Sequence, residues 1–310
     1  MRSAVVVNPV KVDDLDELRR IVNDALAAAG WPAPEWYETT ADDPGRGQTE
    51  QAVKAGVDLV FACGGDGTVM SCVSALVGTD VALAVLPQGT GNLLAANLGL
   101  ATDLAGGVQV AIEGGRKRID VGVVDDRCFA VMAGMGFDAE MLDATSETAK
   151  KRIGSLAYVG GGLKKLLSNP MRVRIVIDGG PPMPRHPRTV IVGNVGRLQG
   201  GLRLIEEATP DDGKLDVAIL SPNNLWHWLA IGWGVLSRRK RIPRMETYRA
   251  ERVEIRSNRV QPRQLDGDLI DPGRTMKVTI RKQALLLCVP VPASDPDLAH
   301  DAKAVRERAE

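Results

Sequence analysis

The sequence has no excess of either charge. Lys and Arg number 39, as do Asp and Glu, so the formal net charge is zero. That balance argues against wholesale nucleic-acid binding and leaves only local basic patches to consider. Cysteine is scarce: Cys63, Cys72, Cys128 and Cys288 form no C-x-x-C pair. Their spacing suits neither a zinc site nor a disulfide framework, so buried free thiols in a reducing cytoplasm are expected. The three histidines, His186, His227 and His300, lie too far apart for H-E-x-x-H, which removes the usual His-based metal site. No uninterrupted apolar run approaches the roughly 18 residues of a membrane span. The opening MRSAVVVNPV has one basic residue and four apolar residues in a row, too few for a secretory signal. The Walker A string G-x-x-x-x-G-K-[ST] does not occur, and neither does an internal repeat.

The 310 residues are 44% hydrophobic and 25% charged, ample for the core of one large domain or two ordinary ones. The stretch VDLVFACGGDGT, residues 57–68, organises the rest. An apolar run ends abruptly in Gly64, Gly65, Asp66, Gly67 and Thr68, and a helix-like segment follows. This reads as a buried strand, a glycine turn and a helix start. Glycines let a backbone approach a ligand closely, and free N–H groups at a helix start favour a phosphate. A plain tight turn is the competing reading. Beside a phosphate, the Asp66 carboxylate would act through a metal ion or as a proton acceptor.

Upstream, Ser3–Val7 reads as a strand stopped by Asn8-Pro9. Asp14–Ala29 reads as a helix with apolar residues at i, i+3 and i+4, stopped by Gly30. A second strand at Glu35–Thr39 and a helix at Thr49–Ala55 lead into the central strand. Downstream, the strand Val81–Leu86 ends in Pro87-Gln88-Gly89-Thr90-Gly91-Asn92, and a short helix follows at Leu93–Leu98. Such β-α alternation predicts a parallel sheet covered on both faces, with ligands at the carboxyl ends of its strands. Asn8, Thr40 and both glycine turns fall at such ends. The 87–92 turn would contact phosphate or ribose through backbone N–H groups and the Thr90 hydroxyl, with Asn92 also able to cap the following helix.

Near residue 118 the pattern changes to short strand-like runs at 119–124, 128–133, 172–178, 188–194, 215–220, 251–256 and 276–280. This predicts a second, β-rich domain. Residues 284–289 form a late apolar run that could return to the first. The expected division is 1–120 plus 284–310 for the α/β domain and 121–283 for the β-rich one.

Other candidates have bland alternatives. Asp266-Gly267-Asp268 sets two carboxylates about a glycine, which suits proton removal in phosphoryl transfer, but Asp-Gly is also a hairpin signal. Thr209-Pro210-Asp211-Asp212-Gly213-Lys214 is a turn whose oxygens also suit Mg²⁺. Gly134-Met135-Gly136-Phe137-Asp138-Ala139 fits G-x-G-x-x-A but opens no βαβ unit and is discounted. LWHWLAIGWGVL carries Trp226, Trp228 and Trp233, and SRRKRIPR follows with five basic residues. Aromatics beside a basic cluster suit a membrane surface, and a packed apolar helix suits the same residues.

Taken together, the sequence resembles the diacylglycerol kinase catalytic-domain family, and more closely the bacterial soluble lipid kinases related to sphingosine kinases. The resemblance rests on Asn8-Pro9, Gly64 to Thr68, Pro87 to Asn92, Ile119-Asp120-Val121-Gly122, Gly134 to Ala139, Asp212 to Asp216 and Asp266-Gly267-Asp268, in family order over nearly the whole chain. It implies an α/β nucleotide-binding domain with a parallel sheet, a second β-sandwich domain, and a cleft between them. ATP would lie near Asn8, Thr40, Gly64, Gly65, Asp66, Gly67, Thr68, Gly89, Thr90 and Asn92. Asp268 would be the catalytic base, with Asp66 and Asp120 near the hydration network of an ATP-bound Mg²⁺. A second, structural Mg²⁺ would use Asp212, with Thr209 and Lys214 through their carbonyls.

Three departures stand out. The family's N-P-x-S-G opening is NPVKV here, Met70 and Ser71 stand where Asn and Glu are common, and the base is Asp rather than Glu. Asp is one methylene shorter, so the substrate or backbone must shift, or a water must intervene. The resemblance implies ATP-dependent phosphorylation of a lipid alcohol such as diacylglycerol, by a cytoplasmic protein that visits membranes peripherally and binds no nucleic acid. The rivals are an NAD kinase-like enzyme and a non-catalytic lipid-binding protein on the same fold. Oligomeric state is open, a homodimer included.

Overall fold

The computed structural model describes residues 1–89, 92–100, 103–136, 170–195, 209–237 and 242–290. The glycine string at Gly134 therefore leaves the described residues after Gly136, and Thr90 lies outside them.

The first unit is the expected alternation: β1 (Ser3–Val7), α1 (Leu15–Ala28), β2 (Glu35–Glu38), α2 (Arg46–Lys54), β3 (Leu59–Gly64), α3 (Asp66–Leu76), β4 (Ala82–Pro87) and α4 (Leu93–Leu98). The strands are parallel in the order β4-β3-β1-β2. Every residue of β1, β3 and β4 is buried, as a sheet covered on both faces requires. Alternate residues serve opposite layers. Val6, Val60 and Ala62 meet Val69, Val73 and Leu76 of α3, while Val5, Val7, Leu59 and Phe61 join Leu18, Val22 and Leu26 of α1. Asp14 caps α1 by accepting the Glu17 N–H at 2.9 Å.

A fifth helix, α5 (Leu104–Glu113), covers the α1 side of the sheet. The sequence pattern hides it, because LAGGVQVAIE carries two glycines. One has a packing reason: a methyl group at Gly107 would fall 2.7 Å from the Val85 carbonyl oxygen of β4. The helix lies so close to the strand that a side chain has no room there.

The second unit is antiparallel. It contains β5 (Gly115–Val124), β6 (Arg127–Phe129), β7 (Met132–Met135), β8 (Val173–Ile177), β9 (Met183–Arg185), β10 (Thr189–Gly193), β11 (Leu215–Leu220), α6 (Leu225–Leu236), β12 (Met245–Ala250), β13 (Arg252–Leu265) and β14 (Asp268–Val289). The separate runs expected at 276–280 and 284–289 are one strand, and 251–256 is the start of another. Together β13 and β14 form a long hairpin. Its tip pairs with β7, which continues to β10, β11 and β12; its base pairs with β8 on one side and β5 on the other. Register shifts between Arg256 and Arg263 bend β13 between these layers. Val190, Val192, Val217 and Ile219 from one layer meet Ile175, Val253, Ile255 and Val278 from the other, giving a β-sandwich-like core. At its far end β14 pairs in parallel with β4 through Leu286 and Leu287.

Four described thiols are free. Burial pushes Cys63, Cys72 and Cys288 up to about 12, so they are inert packing groups.

Candidate active site

The two glycine turns touch each other. Gly64 closes β3, and Gly65 precedes α3 without any side-chain cap on that helix. After β4, the Gln88 N–H donates to the Gly64 carbonyl at 3.0 Å. A methyl group at Gly89 would fall 2.9 Å from Gly65 Cα, so the two backbones meet this closely because Gly89 lacks a side chain. Thr68 is buried beneath Gly64, and Gly67 faces open space. The result is a cradle of main chain at the carboxyl ends of β3 and β4. Asn8 follows β1 and Thr40 follows β2, both at this same end. The Asn8 side chain accepts the Val10 N–H at 3.1 Å, and the Thr40 hydroxyl accepts the Asp43 N–H at 3.1 Å.

Asn92 does not cap α4. Its φ is 43°, and its side chain instead clasps Gly89, donating to the carbonyl at 2.7 Å and accepting the N–H at 3.2 Å. The cap of α4 comes from across the cradle, where Asp66 Oδ1 accepts the Leu93 N–H. Asp66 thus ties the first glycine turn to the helix after the second. Burial raises its pKa, the Leu93 N–H opposes that, and the charge of Asp268 raises it further.

Asp268 arrives from the other unit at the tip of the long hairpin. Leu265 pairs with Asp268 across a two-residue turn in which Asp266 and Gly267 have φ of 48° and 96°. The hairpin reading of Asp-Gly is therefore right, and it is compatible with a chemical role. The Gly267 N–H donates to Gln264 Oε1 at 2.8 Å, and a methyl group at Gly267 would lie 3.4 Å from Leu93 Cδ1, beside the cradle. Asp268 stands on the solvent side of the turn, yet loss of hydration raises its carboxyl above the ordinary range.

Asp266 has a job that the sequence did not reveal. It is buried, and its carboxylate accepts the N–H groups of Ala130, Val131 and Met132 at 2.8, 2.9 and 2.7 Å. Its own N–H donates to the Met132 carbonyl at 2.8 Å. These bonds pin the hairpin tip to the segment before β7 and so aim Asp268. Burial pushes Asp266 up to about 6 despite the three donors. The only signal in the sequence was the turn itself.

The 209–214 turn is a separate acidic centre. Asp212 Oδ2 accepts the Thr209 hydroxyl at 2.7 Å and also meets the Arg249 guanidinium, while Oδ1 accepts the Lys214 N–H at 2.8 Å. Buried Lys117 pairs with Asp211 at 2.9 Å. Asp120 belongs here: its two oxygens accept the Gly213 N–H at 2.6 Å and the Gln283 N–H at 2.7 Å. The structure thus engages Asp120 with this turn. Burial raises its pKa against those two donors.

The two centres differ in how they suit a cation. Asp66 caps α4 beside an open main-chain cradle, and the Asp268 hairpin reaches the same helix start, which fits the Mg²⁺ that accompanies a nucleotide triphosphate. In the 209–214 turn, both oxygens of Asp212 and of Asp120 are already satisfied by protein donors. A second Mg²⁺ in that turn, drawing on Asp212 and the Thr209 and Lys214 carbonyls, would have to share the Asp212 carboxylate with Arg249.

Known proteins bear on both fold and family. A crystal structure of a diacylglycerol kinase from Bacillus anthracis str. Sterne superposes with a TM-score of 0.71 at 21% identity, covering 93% of this chain and 96% of that one. An NAD kinase from Archaeoglobus fulgidus in complex with ATP superposes with a TM-score of 0.54 at 14% identity, covering 99% of both chains. The fold is therefore the two-part fold of these kinases. Residues 2–124 match the diacylglycerol kinase catalytic domain, and residues 131–289 match the YegS C-terminal NAD kinase beta sandwich-like domain. A Pseudomonas fluorescens protein described as "Probable lipid kinase YegS-like" is 31% identical over 287 residues, 89% of this chain and 92% of its own length. A Mycobacterium tuberculosis protein described as "Diacylglycerol kinase" is 31% identical over 175 residues, 54% of this chain and 56% of its own. The chain belongs to the diacylglycerol kinase catalytic-domain family of YegS-like lipid kinases.

Proposed function

We propose that the chain transfers the γ-phosphoryl group of ATP to the hydroxyl of a membrane lipid, with diacylglycerol the first acceptor to test. The α/β unit, 1–120 with the end of β14, binds ATP, and 121–283 receives the lipid. The observation that carries this reading is the arrival of the Asp268 hairpin at the glycine cradle from the other unit: Gly267 reaches Leu93, whose N–H Asp66 accepts. The cradle's N–H groups hold phosphate oxygens. Asp268 accepts the proton of the lipid hydroxyl as that oxygen attacks phosphorus and ADP leaves. Its raised pKa makes it a better proton acceptor than an ordinary Asp. Mg²⁺ bound with the nucleotide supplies neutralisation of phosphate charge, and Asp66 is the carboxylate placed to orient its hydration. Because the acceptor resides in a bilayer, the enzyme works as a cytoplasmic protein that visits the membrane surface. Among the described residues no helix is long and apolar enough to cross one.

The test is transfer of labelled γ-phosphate from Mg·ATP to a panel of lipid alcohols in mixed micelles, with Asp268→Ala alongside. A lipid product that disappears in the variant supports the reading and names the acceptor. No product from a wild type that binds ATP sinks it. NAD as acceptor is then the next measurement, and a binding-only role follows if that too is inert.

A further inference from the structure

Helix α6 is buried on one side only. Asn224 caps it, accepting the His227 N–H at 3.0 Å. Ile231 is buried and Trp228 partly so, both in the core cluster shared with Ala130, Val131 and Met132, the segment that holds Asp266. Gly234 packs against Ile242, to which a methyl group would come within 3.0 Å. The opposite side is different. Trp226 is 77% exposed, Leu229 54% and Trp233 62%. Their i, i+3 and i+7 spacing puts them in one ridge along the helix. Gly232, with nothing within 4 Å of its side-chain position, leaves the ridge open on its flank.

Two large indoles and a leucine left in water on one helix face are costly in a soluble protein and mark a contact surface. The charge of the sequence stretch that carries them indicates what they meet. From Ser221 to Arg244 the sequence has no Asp or Glu and five Arg or Lys, namely Arg238, Arg239, Lys240, Arg241 and Arg244. Within the described part of that stretch, Arg244 is exposed. At 12 residues α6 is ~18 Å long, well short of a bilayer's apolar thickness of about 30 Å, so it can lie in an interface but not span it. Indole and leucine on one face of a helix followed in sequence by a cationic run is the chemistry of an interfacial helix on anionic lipid.

We propose that the Trp226–Leu229–Trp233 ridge of α6 inserts into the headgroup region of an anionic bilayer and docks the protein where its acceptor lies. This rests on the lipid-kinase reading for its purpose, though not for its test. The opposite face of α6, through Ile231 and Trp228, packs in the same core cluster as the Ala130–Met132 segment that holds Asp266, so the docking helix and the hairpin carrying Asp268 are seated on one core.

The experiment uses the full chain without ATP. Wild type and the Trp226→Ser/Trp233→Ser variant are sedimented with vesicles of phosphatidylcholine alone and of phosphatidylcholine with phosphatidylglycerol. Thermal melts check that both fold alike. The expected result is binding that strengthens with phosphatidylglycerol, a blue shift of tryptophan emission, and a loss of roughly tenfold or more in vesicle affinity in the variant. Equal binding of both proteins overturns the proposal, as does failure of wild type to bind either vesicle. A wild type that is dimeric without vesicles, and monomeric in the variant, also overturns it and assigns the ridge to a second copy of the chain. A kinase assay separates this from the reading above. The variant should keep turnover on a short-chain, water-dispersed acceptor and lose it on vesicles, whereas absence of product on every acceptor counts against the kinase reading and leaves the vesicle result standing.

Discussion

The protein has two clusters of aspartate, and they differ in what their oxygens do. In the 209–214 turn, Asp212 and Asp120 have every carboxylate oxygen engaged by an N–H, a hydroxyl or a guanidinium. At the cradle, Asp66 gives one oxygen to the Leu93 N–H, and Asp268 stands on the solvent side of its turn with its pKa raised by lost hydration. The same residue type is thus structural in one place and poised for chemistry in the other. What the carboxylates face separates the two, a guanidinium and N–H groups in the turn and the glycine cradle at the site, not acidity in the sequence. Asp266 is the revealing intermediate. It lies one glycine from Asp268, yet its three N–H partners make it an anchor.

The sharpest way to break this comparison is Asp268→Ala. Loss of a general base should cut transfer by about 10²–10⁴-fold, with the melting temperature unchanged. Comparable loss of stability instead would show that Asp268 is structural like its neighbours. Asp266→Ala should do the opposite first. It strips the acceptor from three N–H groups and should destabilise by roughly 3 kcal/mol, read by denaturant unfolding. Its titration has a definite sign. The folded pKa of about 6 lies above the ordinary 3.8. Between those values the folded protein holds a proton that the unfolded chain has released. This group therefore favours folding more as pH falls from about 6 to about 4 and opposes it above. Asp266→Asn should flatten that portion of the curve of melting temperature against pH; an unaltered curve would show that other groups set it.

A smaller effect is expected where the two glycine turns meet. Gly89→Ala places a methyl group against the Gly65 backbone and should raise the KM for ATP by roughly tenfold, with kcat changed less. An unchanged KM would mean that the turns can part without cost to the nucleotide. Smallest of all is Asp212→Asn. Its partly exposed pair with Arg249 should contribute no more than about 1 kcal/mol. If Mg²⁺ without nucleotide raises the melting temperature of wild type and not of this variant, the turn exchanges Arg249 for a cation, and the contrast between the clusters narrows.

The first unit was legible because a doubly covered parallel sheet writes itself as apolar runs ended by glycine, as in β3 and β4. The long hairpin was not. Pro262 and Pro272 and many charged residues interrupt β13 and β14, which are sheet strands by virtue of their neighbours rather than their own pattern. Helix α5 was hidden by glycines that exist for close packing on β4. At the site, each motif was readable alone, but the meeting of Asp66 with Asp268 depends on tertiary folding that no spacing encodes. The cross-cradle cap on Leu93 and the seating of Asp120 against Gly213 and Gln283 were invisible for the same reason. For α6 the sequence offered a packed helix or a membrane surface, and the structure gives one face to packing and leaves the other bare.

One unbroken strand has a mechanical consequence. Strand β14 begins at Asp268, beside the cradle, and ends paired with β4, whose loop forms the cradle's other wall. One strand therefore runs from the reacting carboxylate to the first residues of β4, the strand that leads up to the cradle. The strand shifts register near Pro272 and again between Arg281 and Leu285, where Gln283 takes φ of 47° and its N–H is held by Asp120. Asp120, which the turn at 209–214 also holds, thus clamps one of the places where that strand can flex.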